Sequence, residues 1–327
     1  MADKRFIDAI HDALYEEMVR DERVVILGED VGRKGGVFGV TDGLYDAFGE
    51  ARVLDTPLAE SGIVGVSIGM AVNGLIPVPE IQFADFIHPA FDQIVSEAAR
   101  LRYRSNNDFG CPITIRVPYG GGVHGALYHS QSIEAFYAHV PGLKVVVPYT
   151  PADAKGLLKS AIRDPDPVIY LEHKKMYRMV RGDVPEGDKT VPIGPAEVRR
   201  RGRDLSIFAY GLMLHESLQA ADKLSGEGIE AEVVDVRTLR PLDTQTILES
   251  VARTSRALIV SEDNRFGGFG AEIAATIAEE GFAHLDAPPT RLGGPEVPGV
   301  PFSPLLEEWF MITAEKIAAA ARTVVSY

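Results

Sequence analysis

Short apolar runs rich in Val and Ile recur through the first half of the chain, at residues 24–27, 53–55, 78–81, 113–117, 145–147 and 168–171. They are continuous rather than alternating, which marks strands buried on both faces. Between them lie stretches of helical periodicity at 62–72, 89–103 and 152–162. This alternation predicts a parallel sheet covered on both sides. A polar segment over 181–202 follows, punctuated by Gly182, Pro185, Gly187, Pro192, Gly194 and Pro195, and reads as a connection between domains. The pattern then restarts, with strands at 205–210, 231–236 and 257–261, helices near 216–224, 244–252 and 271–280, and a last helix at 314–324. The expectation is an α/β protein of two doubly wound domains, 1–185 and 204–327, joined by a linker at 186–203.

A length of 327 residues is too great for one ordinary core and agrees with two domains. With 46% hydrophobic and 24% charged residues, the composition is that of a soluble globular protein. No apolar run approaches the length of a membrane span. The first 18 residues are charged and amphipathic, without the apolar core or cleavage site of a secretory signal, so the expected location is cytoplasmic. The single cysteine, Cys111, excludes an intrachain disulfide framework and fits a reducing compartment.

A net charge of −14 argues against nucleic acid as the main partner. The charge is uneven: residues 204–327 carry 19 acids and 9 bases, net −10, and the rest carry 28 and 24, net −4. An acidic solvated surface accounts for this; so does a landing surface for a basic partner.

Three segments carry candidate chemistry. The first, Asp55-Thr56-Pro57-Leu58-Ala59-Glu60-Ser61-Gly62, places an acid where a strand gives way to a helix. By position alone Glu60 reads as a first-turn acid favoured by the helix dipole. Gly62, Gly65 and Gly69 fall near one face of that helix and predict close backbone packing against it. In the second segment, Glu80-Ile81-Gln82-Phe83-Ala84-Asp85-Phe86, a strand again runs into a helix, where ligands bind in open α/β sheets. Phe83 and Phe86 read equally as core, and Gln82 and Asp85 as surface or cap residues.

The third segment runs from Pro118 to Gln131 and holds Gly120, Gly122 and Gly125 in the spacing G-x-G-x-x-G. A dinucleotide site is rejected. Pro118 and Tyr119 separate the strand from the glycines, and the next strand ends in Pro148-Tyr149 rather than in a ribose-binding acid. No Lys-Ser/Thr pair follows, which excludes a P-loop. His124 and His129, five apart, are poorly spaced for zinc without further ligands. They read as exposed or capping histidines on a flexible loop.

Taken together and in order, these stretches resemble the β subunits of the thiamine-diphosphate-dependent 2-oxo acid dehydrogenases. The resemblance rests on DTPLAESGIVG at 55–65, EIQFADF at 80–86, RYRS at 102–105, GALYHSQ at 125–131 and PGLKVVV at 141–147. In the second domain it rests on RTLRPLD at 237–243 and GGFGAEI at 267–273. It covers nearly the whole chain. It implies a thiamine-diphosphate pyrimidine-binding fold followed by a transketolase C-terminal-like domain that supports dimerisation and docking on an acyltransferase core.

The resemblance also implies roles. Thiamine diphosphate lies between an α and a β subunit of an α2β2 heterotetramer. The α subunit holds the diphosphate and its magnesium through a Gly-Asp-Gly…Asn motif; this chain contains no Gly-Asp-Gly. Glu60 matches the acid that hydrogen-bonds the aminopyrimidine nitrogen and thereby helps activate the cofactor's reactive carbon. Leu58 and Phe86 match positions packed on or beside that ring, and Gln82 a polar residue near cofactor and substrate. His129 matches a histidine at the mouth of the site that helps pass the acyl group to a lipoyl arm. Ile113, Thr114, Ala161, Asp164 and Asp166 match a structural potassium site built mainly from backbone carbonyls. A turn ending a helix explains Asp164-Pro165-Asp166-Pro167 equally well. The acidic second domain suits the subunit-binding domain of the acyltransferase.

Residues 104–107 (RSNN) and 122–132 (GVHGALYHSQS) lie closer to branched-chain enzymes, which favours 3-methyl-2-oxobutanoate over pyruvate or acetoin. A self-contained transketolase or deoxyxylulose phosphate synthase would need a diphosphate-binding domain and motif that this sequence lacks. A non-catalytic scaffold on the same fold is disfavoured by the presence of Glu60, Gln82, Phe86 and His129.

Overall fold

A computed structural model describes residues 2–327. They form two compact units: one runs to Tyr119 and resumes over Phe136–Ile193, and the other joins Gly120–Ala135 to Gly194–Tyr327.

In the first unit, parallel strands lie in the order Lys144–Val146, Val168–His173, Thr114–Tyr119, Ile76–Glu80, Val24–Gly28, Val53–Asp55. Each is the Val/Ile-rich run read from the sequence, displaced by at most two residues at an end. The strands Val24–Gly28, Ile76–Glu80, Thr114–Tyr119 and Val168–His173 are buried along their whole length, the state of a sheet sandwiched between helices. Helix Phe6–Arg20 packs on helix Pro151–Ile162. Lys155 and Lys159 ion-pair with Glu16 (2.6 and 3.0 Å), and Arg163 with the fully buried Glu17 (2.5 Å). Pro151–Ile162 starts where chemistry favours it: Thr150 accepts from Asp153 N, and Pro151 needs no donor at the first turn.

The periodic stretch over 89–103 is helical but irregular. A 3₁₀ turn covers Ala84–Ala90, a π-turn Gln93–Ala98, and a short α-turn Leu101–Arg104. Pro89 lacks the N–H of a regular helix. At the far end the Gly142 backbone presses on Ala99: a Cβ there would lie 2.0 Å from its carbonyl oxygen. The glycine face of helix Glu60–Val72 also differs from expectation. Gly62, Gly65 and Gly69 are exposed, and among the described residues no backbone packs against them.

The second unit is a five-stranded sheet ordered Thr290–Gly294, Ala257–Asn264, Leu205–Ala209, Ala231–Asp235, Glu197–Arg200, the last antiparallel. Helices Gly211–Ser225, Thr244–Thr254, Gly270–Glu280 and Ala314–Val325 accompany it. Asp243 and Thr313 cap two of them by accepting from Thr246 N and Lys316 N.

Two segments fall outside the chain-order division into 1–185, 186–203 and 204–327. Gly120–Ala135 belongs to the second unit although it precedes the connection. The connection itself is structured. Val191 sits against Gly156 and accepts from Ser160 Oγ at 2.6 Å, while Glu197–Arg200 is an edge strand of the second sheet. Arg181–Val184 pairs antiparallel with Ala2–Arg5. Among the described residues, no helix is long and apolar enough to cross a membrane.

At the centre of the first sheet Arg116 is completely buried. Its Nη1 donates to Glu80 at 2.5 Å, and its Nε and Nη2 grip both oxygens of Glu172 at 2.6 and 2.8 Å. Tyr177 OH donates to the same Glu172 at 2.6 Å. The three charged residues belong to three adjacent strands. Burial pushes the Glu80 carboxyl up, against the pull of Arg116. Removing one partner from such a cluster strands a buried charge. Arg116→Ala is therefore expected to cost about 3–5 kcal/mol in urea unfolding; a loss below about 1 kcal/mol would show that the two carboxylates escape to water or take up protons at little cost.

Candidate active site

Gly28 stands in register with both Asp55 and Glu80. The segments beginning at Glu29, Thr56 and Ile81 therefore leave the sheet along one carboxyl edge. From Val24–Gly28 the chain moves to Val53–Asp55 on one side; from Ile76–Glu80 it moves to Thr114–Tyr119 on the other. Diverging connections open a crevice above the edge, the usual ligand position in such sheets. Gly28 is what lets the strands approach here: a Cβ would meet the Glu80 carbonyl at 2.8 Å.

Glu60 opens helix Glu60–Val72 and is only 8% exposed. Its carboxylate takes no hydrogen bond from the described residues, although the helix N-terminus favours its charge. The nearby Glu29 is buried to a similar degree. Burial, then the charges of Glu60 and Asp30, push the Glu29 carboxyl up. Gln82 Nε2 donates to Asp30 Oδ2 at 3.3 Å and lies 3.5 Å from the Glu29 carbonyl. Phe86 meets Phe83 edge-on at 5.7 Å, and Phe83 meets Phe38 at 5.4 Å. Leu58 is 81% exposed. The crevice thus gathers Glu60, Gln82, Phe86 and Leu58 on neighbouring segments of one sheet edge. Sequence reading missed Glu29, although it follows a buried strand directly, as Gln82 nearly does after its own.

His129 belongs to the second unit. Its Nδ1 lies 3.2 Å from the Gly125 carbonyl, which can only accept, so Nδ1 carries a hydrogen. Gly125 permits this turn, since a Cβ would meet the His129 carbonyl at 2.8 Å. His124 and Ala126 adopt left-handed backbone at φ 56° and 57°, a strained state for such residues. The loop is tied down by carboxylates. Glu262 accepts from Gly121 N at 2.6 Å, and Glu307 accepts from Gly122 N at 2.9 Å and His124 N at 3.2 Å.

Beneath the loop lies a small polar cavity lined by Ser130, Ser132, Asp263 and Asn264, among others. Glu134, completely buried, accepts from Tyr210 OH at 2.8 Å. Burial first, then the charge of Asp263, pushes Glu134 up to about 8. Burial also raises Asp263, to about 6.

The five positions matched to a potassium site each have partners within the chain or stand alone. Ile113 O accepts from Val168 N, and Ala161 O from Asp164 N. Asp164 Oδ1 pairs with Lys144 at 2.6 Å, and Asp166 Oδ1 with Arg102 at 2.6 Å. Thr114 Oγ1 is buried and has no hydrogen-bond partner among the described residues. Burial and the charge of Asp166 push the neighbouring Cys111 thiol up to about 12. Among the described residues no three His, Cys, Asp or Glu side chains converge as for a metal ion.

Two family models match the chain: the transketolase pyrimidine binding domain over residues 3–180, and the transketolase C-terminal domain over 194–317. A split-gene transketolase, solved as an inactive β4 tetramer, superposes with a TM-score of 0.79 at 26% identity over 98% of each chain. The two-domain transketolase-type fold is therefore the class. The chain is 56% identical to the 2-oxoisovalerate dehydrogenase subunit beta of Bacillus subtilis, over 98% of each chain. It is 49% identical to the pyruvate dehydrogenase E1 component subunit beta of the same organism, over the full length of both. The chain belongs to the β-subunit family of the thiamine-diphosphate-dependent 2-oxo acid dehydrogenases.

The raised Glu134 predicts a pH dependence. Its folded value of about 8 exceeds the ordinary 4.5, so folding favours the protonated form. Its contribution is fully present below 4.5 and is lost as pH rises through about 8. Asp263 acts in the same direction at lower pH. Unfolding free energy is expected to fall over this range, and Glu134→Gln is expected to flatten the fall. Urea titrations at several pH values check this; an unchanged slope in the variant would locate the proton elsewhere.

Proposed function

We propose that this chain is the β subunit of a branched-chain 2-oxo acid dehydrogenase. With an α subunit it carries out oxidative decarboxylation of 3-methyl-2-oxobutanoate and related 2-oxo acids, and acyl transfer to a lipoyl arm. The observation that carries this reading is Glu60: a nearly buried carboxylate with no donor, at a helix N-terminus on the sheet's crevice. Such a group is costly unless a ligand completes it.

The residues present fit an aminopyrimidine. Glu60 offers an acceptor for a ring nitrogen, Gln82 an amide, Phe86 an aromatic face and Leu58 an exposed apolar contact. Bound thiamine diphosphate supplies the carbon nucleophile and electron sink that decarboxylation of a 2-oxo acid requires. Glu60 holds a proton at the ring nitrogen from the first turn of its helix. Phe86 and Leu58 orient the ring and exclude water from it. His129, held at Nδ1 by the Gly125 carbonyl, moves a proton during acyl transfer.

The chain lacks Gly-Asp-Gly, so magnesium and the diphosphate fall to the α subunit of an α2β2 heterotetramer. The acidic second domain suits the basic subunit-binding domain of the acyltransferase, whose lipoyl domain brings the acceptor. The higher identity to a 2-oxoisovalerate than to a pyruvate subunit, 56% against 49%, supports the branched substrate. The buried Thr114 Oγ1, without a hydrogen-bond partner among the described residues, supports a monovalent cation held with Ile113, Ala161, Asp164 and Asp166. The absence of a long apolar helix is compatible with a cytoplasmic enzyme.

Glu60→Gln is expected to assemble normally and to lose about 10²-fold or more in decarboxylation, measured by dye reduction with the co-purified α partner. Near-normal turnover would remove Glu60 from the chemistry. His129→Ala is expected to spare carbon dioxide release more than acylation of a lipoyl acceptor; equal losses would deny it the transfer step. In the wild-type complex 3-methyl-2-oxobutanoate is expected to outrun pyruvate, and the reverse order would keep the mechanism but change the pathway.

A further inference from the structure

Helix Pro304–Phe310 buries Phe310 but turns most of its apolar side chains outward. Its one fully inward charge, Glu307, is 2% exposed, while Leu305, Leu306 and Trp309 are 78%, 54% and 55% exposed. An amphipathic helix normally does the opposite. Burying a carboxylate while leaving three large apolar side chains in water needs compensation, and the partners of Glu307 provide it. Oε1 accepts from the backbone N–H groups of Gly122 and His124, and Oε2 lies 2.5 Å from His124 Nδ1. All of these lie on the loop that carries His129.

That loop needs an external hold. His124 and Ala126 sit at positive φ, each costing on the order of 1–3 kcal/mol. Such strain persists only where surrounding contacts over-determine it. Two contacts besides Glu307 contribute. Glu262 takes Gly121 N, and Gly299 lies so close to Leu127 that a Cβ would meet Leu127 Cδ1 at 2.4 Å. Glu307 alone grips the strained residue His124 by both its backbone and its ring. Five residues on, His129 takes its orientation from the Gly125 carbonyl, the residue after His124.

We infer that Glu307 is a positioning residue for His129, clamping the loop at Gly122 and His124 so that the Gly125 carbonyl fixes the imidazole. This inference rests on the reading of His129 as the acyl-transfer histidine. It gives the buried carboxylate, the outward-turned apolar side chains and the strained backbone a single cause.

The test uses the complex with its α partner and the variants Glu307→Gln, His129→Ala and the double variant. Glu307→Gln keeps the size but loses the charge. Amide hydrogen exchange over 121–124 is expected to quicken by about tenfold or more, the loss of charge-assisted hydrogen bonds. Lipoyl acylation is expected to fall more than carbon dioxide release. In the His129→Ala background, Glu307→Gln is expected to cause no further loss of acylation, because its effect passes through the histidine. Losses that multiply, or unchanged exchange at 121–124, overturn the inference. If Glu307→Gln does not assemble, Glu307→Asp, whose shorter carboxylate cannot reach the same N–H groups, replaces it with the same readouts and the same deciding outcomes. If the wild-type complex acylates no lipoyl acceptor, the reading of His129 fails, while the exchange data still decide whether Glu307 holds the loop.

Discussion

The first unit is organised around one buried guanidinium. Arg116 binds a carboxylate from the strand on either side, and a tyrosine hydroxyl completes the set. Three strands are thereby locked together near their carboxyl ends, where the following segments turn outward. Arginine suits the position because its planar fork grips Glu172 at two points and still reaches Glu80. The crevice inherits this rigidity. Glu80 is the last residue of its strand, and Gln82 and Phe86 follow within six residues. Charge buried in the core at some cost in stability becomes geometric definition at the edge.

The two units handle buried acid in different ways. In the crevice of the first, Glu29 and Glu60 are close enough to raise the Glu29 carboxyl, and Glu60 lacks a donor. Such a pair is poised to take a proton or a ligand's donor. In the second, Glu262 and Glu307 are satisfied by backbone N–H groups of the glycine-rich loop, and Glu134 keeps its proton into the neutral range. The glycines thus serve neither a dinucleotide nor a phosphate. They expose N–H groups to carboxylates, so the chain itself supplies the anions that such loops elsewhere take from ligands.

Much of the fold was legible because buried parallel strands leave a plain signature. The Val/Ile runs from Val24 to Leu171 lie within two residues of the strands observed. The two-domain α/β architecture followed from them. The site residues were legible only in combination. Glu60 alone was an ordinary first-turn acid, and its place beside Gln82 and Phe86 came from the resemblance. The broken winding over 84–104 was only partly legible: Pro89 marks its start, but the close approach of Gly142 to Ala99, some forty residues away, leaves no local signal. Nor was the membership of Gly120–Ala135 in the second unit, because its anchors Glu262 and Glu307 lie more than 120 residues further along.

The sequence by itself determined the elements, the sheet class, the family, and which residue types stand at the ends of the strands. Those properties arise from local periodicity and from short motifs, which the chain carries wherever it folds. Tertiary structure decided which acids are paired, protonated or left without a donor. Burial and the approach of distant groups set the state of a carboxylate, and neither is a property of neighbouring residues. Glu29, Glu60, Glu134 and Glu307 are alike as letters. The fold makes the first a raised acid beside the second, the second an acceptor without a donor, the third a holder of a proton, and the fourth the anchor of a loop.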